Sequence, residues 1–485
     1  MILRVINHSF HYEMENLCRV FYPFEKIKVV HDNDGEDEIT AVTALEGEDK
    51  IFVSLRTCEF ESSLSSQAEQ GSDLEKKMAV MLFELLTKAT GYTPKWGILT
   101  GVRPSKLMNT LIDETGGEKA KRYFTDDLLV TPQKTELAYE VAGAEKAIMD
   151  LTVDNSFSLY VSIPFCPTRC NYCSFVSHSV AQAGKLLPEY VEKLCDEIAF
   201  TGKIAADLGL KLESVYWGGG TPTSLSAEQL ATVLKAVDNS FDLSACREYT
   251  VEAGRADTVT EAKLRELKAA GVGRISINPQ TFNDDVLVNI GRRHTVADVL
   301  DAYSLAREIG FDNINMDLIA GLTGDDCASF NHTVDKAIEL NPESITLHTL
   351  ALKRSSNLVT GGGETQSGES TNKMLEYAQN RFYSGGYKPY YMYRQSRSLG
   401  NLENVGWCKP GSECLYNVFM MEECHTVLAV GAGAVTKLKE PHGRNIERIF
   451  NFKYPYEYNS RFDEIRERKQ YIFDFYEKYP GNGIK

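Results

Sequence analysis

From Ser156 onward the chain alternates short β-rich runs with helical stretches six times over, and few folds accept that pattern. The β-rich runs are 159–163, 214–217, 248–252, 274–278, 313–319 and 344–350, and helical apolar spacing fills 188–208, 227–239, 261–270, 296–309 and 330–340 between them. A strand returning parallel to its neighbour needs a long crossover, and a helix supplies it in the right-handed sense. Six units are too few to close an eight-stranded ring. The expectation is therefore an α/β fold built on a partial, open (βα)6 TIM-like barrel, with its site at the C-terminal ends of the strands.

The 485 residues leave room for further domains around that core. Residues 1–95 read as a small α/β domain, with strands at 27–30, 38–45 and 51–55. Its helix, 74–90, ends at Gly91, the residue type that closes a helix in the left-handed conformation. Residues 96–155 read as a helical linker, entered through Trp96-Gly-Ile-Leu-Thr-Gly-Val-Arg-Pro. The barrel core takes 156–355, and 356–485, rich in Tyr and Phe, reads as an α+β cover over its open side. Within that cover Gly361-Gly-Gly-Glu-Thr-Gln-Ser-Gly-Glu-Ser reads as a polar loop.

A net charge of −16 argues against a nucleic-acid binder, which needs concentrated Lys and Arg to meet phosphates. No basic segment followed by an apolar one opens the chain, and no apolar run is long enough to span a membrane. A cytoplasmic protein is expected. Eleven cysteines in such a chain point to metal binding or chemistry rather than disulfides wherever they cluster.

They cluster directly after the first barrel strand, as Cys166-Pro-Thr-Arg-Cys170-Asn-Tyr-Cys173. Spacings of four and three residues let three thiolates of one loop reach one metal centre. Zinc in a structural role takes four ligands, commonly as two separated pairs, and no second pair lies nearby. Iron–sulfur cubanes normally take four thiolates as well. Three leave one iron open to a bidentate small molecule, and the amino and carboxylate groups of S-adenosylmethionine (SAM) meet that requirement.

Tyr160-Val-Ser-Ile-Pro-Phe-Cys-Pro-Thr-Arg-Cys-Asn-Tyr-Cys, followed by Tyr216-Trp-Gly-Gly-Gly-Thr-Pro-Thr, resembles the radical SAM superfamily. More narrowly it resembles the oxygen-independent coproporphyrinogen III oxidase group, and the N-terminal extension is similar to the longer HemZ-type branch. The resemblance implies a [4Fe–4S] cluster on Cys166, Cys170 and Cys173. It also implies SAM contacts from Tyr160, Tyr172, Gly219, Gly220, Thr221, Glu252, Gln280, Arg292, Asp317, Ile319 and Ala351, with Arg293 as a neighbouring alternative to Arg292. The implied activity takes a hydrogen from a propionate β-carbon, releases CO2 and an electron, and converts coproporphyrinogen III to protoporphyrinogen IX in two rounds. Such chemistry requires a one-electron donor such as flavodoxin or ferredoxin.

Two departures keep a second reading open. Oxidases of the group carry a fourth cysteine two residues after the third, where this chain has Phe175, as do related haem chaperones. The stretch Gly431-Ala-Gly-Ala-Val matches the region of a second SAM too loosely to carry residues over. Haem binding and delivery on the same scaffold is the alternative. Cys408, Cys414 and Cys424 follow no ferredoxin or zinc spacing and read as separate structural thiols. His178, His348, Tyr390-Tyr-Met-Tyr-Arg and Tyr454-Pro-Tyr-Glu-Tyr read first as packing residues.

Overall fold

The computed structural model describes residues 1–31, 38–69, 71–174, 177–352, 366–395 and 397–484; Phe175 and residues 361–365 of the glycine-rich run lie outside them. The contacts divide the chain into two compact units, a coarser division than the four segments read from the sequence. One holds Met1–Gly143, Ser367–Asn372 and Met392–Asn404; the other holds Ala144–Gln366, Lys373–Tyr391 and Val405–Lys485.

The first unit is built on a five-stranded sheet. Its strands are β1 (Ile2–Ile6), β2 (Lys28–Val30), β3 (Thr40–Glu46), β4 (Lys50–Arg56) and β5 (Glu61–Gln67), in the order β2-β1-β3-β4-β5. β1 runs parallel to β2 and β3, while β3, β4 and β5 form an antiparallel meander. Ile51, Val53 and Leu55 alternate inward along β4, the period-two signature of a half-buried strand. They pack with Leu3, Met14, Leu17, Met78, Leu82 and Leu85 in one apolar core. The helix Leu74–Thr90 falls where its spacing put it: the Asp73 carboxylate accepts from the Lys76 amide at its start, and Gly91 ends it at φ 68°. β1, the helix His11–Phe21 and β5 are additions to the elements read from the sequence. β5, Glu-Ser-Ser-Leu-Ser-Ser-Gln, has little strand propensity and owes its form to the β4 ladder.

Within the same unit Lys134 and Glu403 form an ion pair at 2.5 Å with side chains 1% and 0% exposed. Trp96 Nε1 donates to the other Glu403 oxygen at 2.8 Å. Arg394 donates to the Leu99 and Gly101 carbonyls and lies over the Trp96 ring. The Trp96 segment thus gathers parts of the chain some 300 positions apart.

The second unit contains the partial barrel. β6 (Ser156–Ile163) leads through the short pair β7 (Phe165–Cys166) and β8 (His178–Ser179) to β9 (Lys211–Gly219), β10 (Glu248–Glu252), β11 (Arg274–Ser276), β12 (Ile314–Ala320) and β13 (Ser344–Thr349). β6, β9, β10, β11, β12 and β13 are mutually parallel in that order, with helices such as Leu187–Asp207 and Val296–Ile309 as crossovers. Five further strands extend the sheet: β14 (Lys388–Arg394), β15 (Glu403–Cys408), β16 (Thr426–Val430), β17 (Val435–Lys439) and β18 (Ile446–Phe450). β15 joins β13 antiparallel. β16, fully buried, joins β6 in parallel, so the first barrel strand is not an edge. That seventh parallel strand comes from the region read only as a cover. Among the described residues no helix is long and apolar enough to cross a membrane.

Candidate cofactor site at the strand ends

β6 ends in buried Val161 and Ile163, and Pro164 turns the chain into the cysteine loop. β7 and β8 pair at the loop's base. Its tip is tied to the segment before Arg292: the Asn171 amide donates to Ile290 O at 3.0 Å and Thr168 Oγ1 to Gly291 O at 3.2 Å. The Cys173 amide donates to Cys170 O at 3.1 Å, folding the second half of the motif into a turn. None of the three is in a disulfide; Cys170 is buried and Cys166 and Cys173 are half-buried. Burial pushes the Cys166 thiol up, opposed by bonds from Thr221 and Ser177; Thr221 Oγ1 lies 3.5 Å from its sulfur. Among the described residues no three His, Cys, Asp or Glu side chains close on a single metal ion. A cubane asks for something looser, because each thiolate takes a different iron.

The glycine motif ends β9 beside this loop. The Gly220 and Thr221 amides donate to Ile163 O and Phe165 O at 2.8 and 2.7 Å, so these N–H groups bind the loop's entry strand. What Gly220 contributes is a missing side chain: a Cβ there would stand 2.6 Å from Phe165 O. Gly219 adopts φ 104°, a conformation that glycine takes without strain.

Glu252 closes β10, where Tyr216 Oη donates to it at 2.6 Å. Burial raises its carboxyl to about 7, with the Tyr216 bond pulling down and the charge of Asp317 pushing up. Asp317, on β12, accepts from Asn278 and Asn315 side chains at 2.8 Å each, with His348 Nε2 at 3.8 Å. Burial raises Asp317 too, but His348 and the bonds from Asn315 and Thr346 outweigh it and hold the carboxyl below its ordinary range. Two carboxyls at the strand ends are thus set apart, one ionised and one able to hold a proton near neutrality. Tyr160, Tyr216 and Tyr416 stack beside them, with ring centroids 6.4, 4.4 and 5.9 Å apart pairwise.

The structure distinguishes Arg292 from Arg293. Arg292 is buried and donates to Asn278 O at 2.8 Å and to Tyr172 Oη at 3.1 Å, while Arg293 is exposed. Arg292 Nε is buried without a hydrogen-bond partner. Gln280 is buried at φ 67°, its amide on Asp317 O and its carbonyl accepting from the Ile319 amide. Ile319 is buried and Ala351, just beyond β13, is half-buried. Among the expected contacts, direct bonds join Tyr172 to Arg292 and Gln280 to Asp317 and Ile319.

Three residues of this region escaped the sequence reading: Asn278, which bridges Arg292 and Asp317, and Arg255 with Asp257. Arg255 sits in the turn after β10 and reaches Thr168 and Cys170 in the cysteine loop. No periodicity marks a turn residue whose partner lies 85 positions away. Elsewhere, Cys408 is buried on β15 and Cys414 donates to Glu248, which also accepts from the Leu415 amide. His178 packs edge-on against Tyr454, which stacks on Tyr456.

A model described as the radical SAM superfamily matches residues 160–337, a superfamily that works with a [4Fe–4S] cluster and SAM. The oxygen-independent coproporphyrinogen-III oxidase-like protein HemZ of Bacillus subtilis is 35% identical over 486 residues, 96% of each chain. The heme chaperone HemW of Bacillus subtilis is 40% identical over 200 residues, 40% of this chain and 51% of that one. The solved coproporphyrinogen III oxidase HemN of Escherichia coli shares the fold at a TM-score of 0.53 and 23% identity, over 67% of this chain and 72% of that one. The chain belongs to the radical SAM superfamily, among its oxygen-independent coproporphyrinogen-III oxidase-like proteins.

Proposed function

We propose that the chain decarboxylates the propionate side chains of coproporphyrinogen III oxidatively and without O2, giving protoporphyrinogen IX. The observation that carries this reading is the end-to-end likeness to an oxidase-like protein, which takes in both units, whereas the chaperone likeness covers 40% of the chain. The residues at the strand ends fit the cofactors. Three cysteines stand in one loop outside any disulfide, a Thr221 hydroxyl and an Arg255 guanidinium point at two of the sulfurs, and a buried Arg292 N–H lacks a partner. Cys166, Cys170 and Cys173 would hold the cluster. Tyr160, Tyr172, Gly219, Gly220, Thr221, Glu252, Gln280, Arg292, Asp317, Ile319 and Ala351 would surround SAM.

Cluster and SAM together supply one-electron chemistry able to remove a hydrogen atom from an unactivated carbon. The protein's part is to bind, orient and keep water out. Ionised Asp317 suits hydroxyl groups, the Arg292 guanidinium suits a carboxylate, and Ile319 offers an apolar face. Electrons would come from a small donor such as flavodoxin or ferredoxin, in the cytoplasm.

The test is an anaerobic assay of reconstituted protein with SAM, a reductant and coproporphyrinogen III, read by mass spectrometry. Mass losses of one and then two decarboxylations with 5′-deoxyadenosine formed are the expected result. An untouched porphyrinogen with stoichiometric haem binding would establish instead the second reading, a haem chaperone, which the higher local identity to the Bacillus heme chaperone favours.

A further inference from the structure

We infer that Arg255, aligned by Asp257, is a positioning residue that sets the reduction potential of the cluster through the sulfur of Cys170. The inference rests on the reading that Cys170 is a cluster ligand.

The turn after β10 serves the site at three successive points. Glu252 meets Tyr216, Gly254 O accepts from Arg292, and Arg255 turns back to the cysteine loop. Arg255 is 3% exposed, a costly place for a guanidinium unless its donors are used. Nε and Nη2 fork onto the two oxygens of Asp257 at 3.0 and 2.8 Å. That bidentate grip fixes the plane of the group, so Nη1 must face the loop. There it donates to Thr168 Oγ1 at 2.9 Å and Thr168 O at 3.2 Å, and lies 3.8 Å from Cys170 Sγ. Anchoring the loop alone would need only the threonine bonds. The sulfur contact is additional.

The groups facing this guanidinium come from three elements. Burial raises the Asp257 carboxyl, but His294 and Arg255 outweigh it and hold it well below the ordinary range, so the pair is close to neutral as a unit. What Arg255 adds at the sulfur is therefore chiefly a directed N–H. A hydrogen bond to an iron-bound thiolate stabilises the reduced, more negative cluster more than the oxidised one, and so raises the potential.

The full-length protein, reconstituted anaerobically, is titrated with a mediated reductant and followed by electron paramagnetic resonance. Arg255→Gln is expected to move the midpoint to more negative potential. The reduced-to-oxidised ratio at a fixed poise should fall about tenfold, about 59 mV for a one-electron couple. Arg255→Lys keeps a buried cation and is expected to fall between wild type and Arg255→Gln; it decides the matter if Arg255→Gln loads no cluster. Variants carrying a full complement of iron and sulfide at an unchanged midpoint overturn the role of Arg255 alone. A full cluster retained in Cys170→Ala overturns the ligand assignment instead.

Discussion

Glu252 and Asp317 are two carboxyls of one site shifted in opposite directions from the ordinary carboxylate range, and the difference is measurable. Glu252 rises from 4.5 to about 7 in the folded chain, so between those values the folded state binds more protons than the unfolded one. Stability then falls as pH rises through that window, and the cost is fully present above it. Glu252→Gln removes the cost. The variant should match wild type near pH 4 and exceed it by about 3 kcal/mol at pH 8, read from paired denaturation curves. Tyr216→Phe deletes the 2.6 Å donor that holds Glu252 down, so its carboxyl should rise further. SAM binding by Tyr216→Phe should weaken several-fold at pH 7 and recover by pH 9, as calorimetry at the two pH values would show. At this scale the cysteines were legible because three of one rare residue at fixed spacing leave few readings. Arg255 and Asn278 were not, because a turn residue carries no period and their contacts exist only after the sheet is assembled.

The barrel's strands and crossover helices were legible as elements, since alternation between two periods needs no tertiary context. The helix Val296–Ile309 lies over the span read from its spacing, and β10 likewise over Glu248–Glu252. β5 escaped because its serines fit a loop as well as an edge strand, and only the β4 ladder decides between them. β16 carried a signal in Thr-Val-Leu-Ala-Val, but nothing local says that such a run will pair 269 positions back, Thr426 against Phe157. Helix ends offer a clean test of local reasoning. At Gly91 a Cβ would meet nothing within 4 Å, so Gly91→Ala changes only the strain of φ 68°. A loss of about 1 kcal/mol in the stability of the first unit is expected by thermal or denaturant melting. No loss would mean that the helix end relaxes.

At the scale of the whole molecule, the first unit is not a severable N-terminal piece, because Met392–Asn404 belongs to it. Lys134 and Glu403 are the sharpest sign of this. Burial raises the Glu403 carboxyl, but Lys134 and Trp96 hold it ionised and below its ordinary range. Glu403→Gln should cost about 3–5 kcal/mol by leaving an uncompensated buried cation, and Lys134→Met with Glu403→Leu should restore most of it. A loss in the double variant equal to the sum of the two single losses would show the pair to be uncoupled. A chain begun at Ala144 should likewise fold poorly, with low yield of material showing a cooperative melt. The pairing of β16 with β6 adds a matter of timing. At a synthesis rate of about 5–20 residues per second, the seventh strand leaves the ribosome on the order of 15–50 s after the first. Through that interval the strand that carries the cysteine loop has a bare edge, so iron and sulfide have a finished cradle to enter only when the chain is nearly complete.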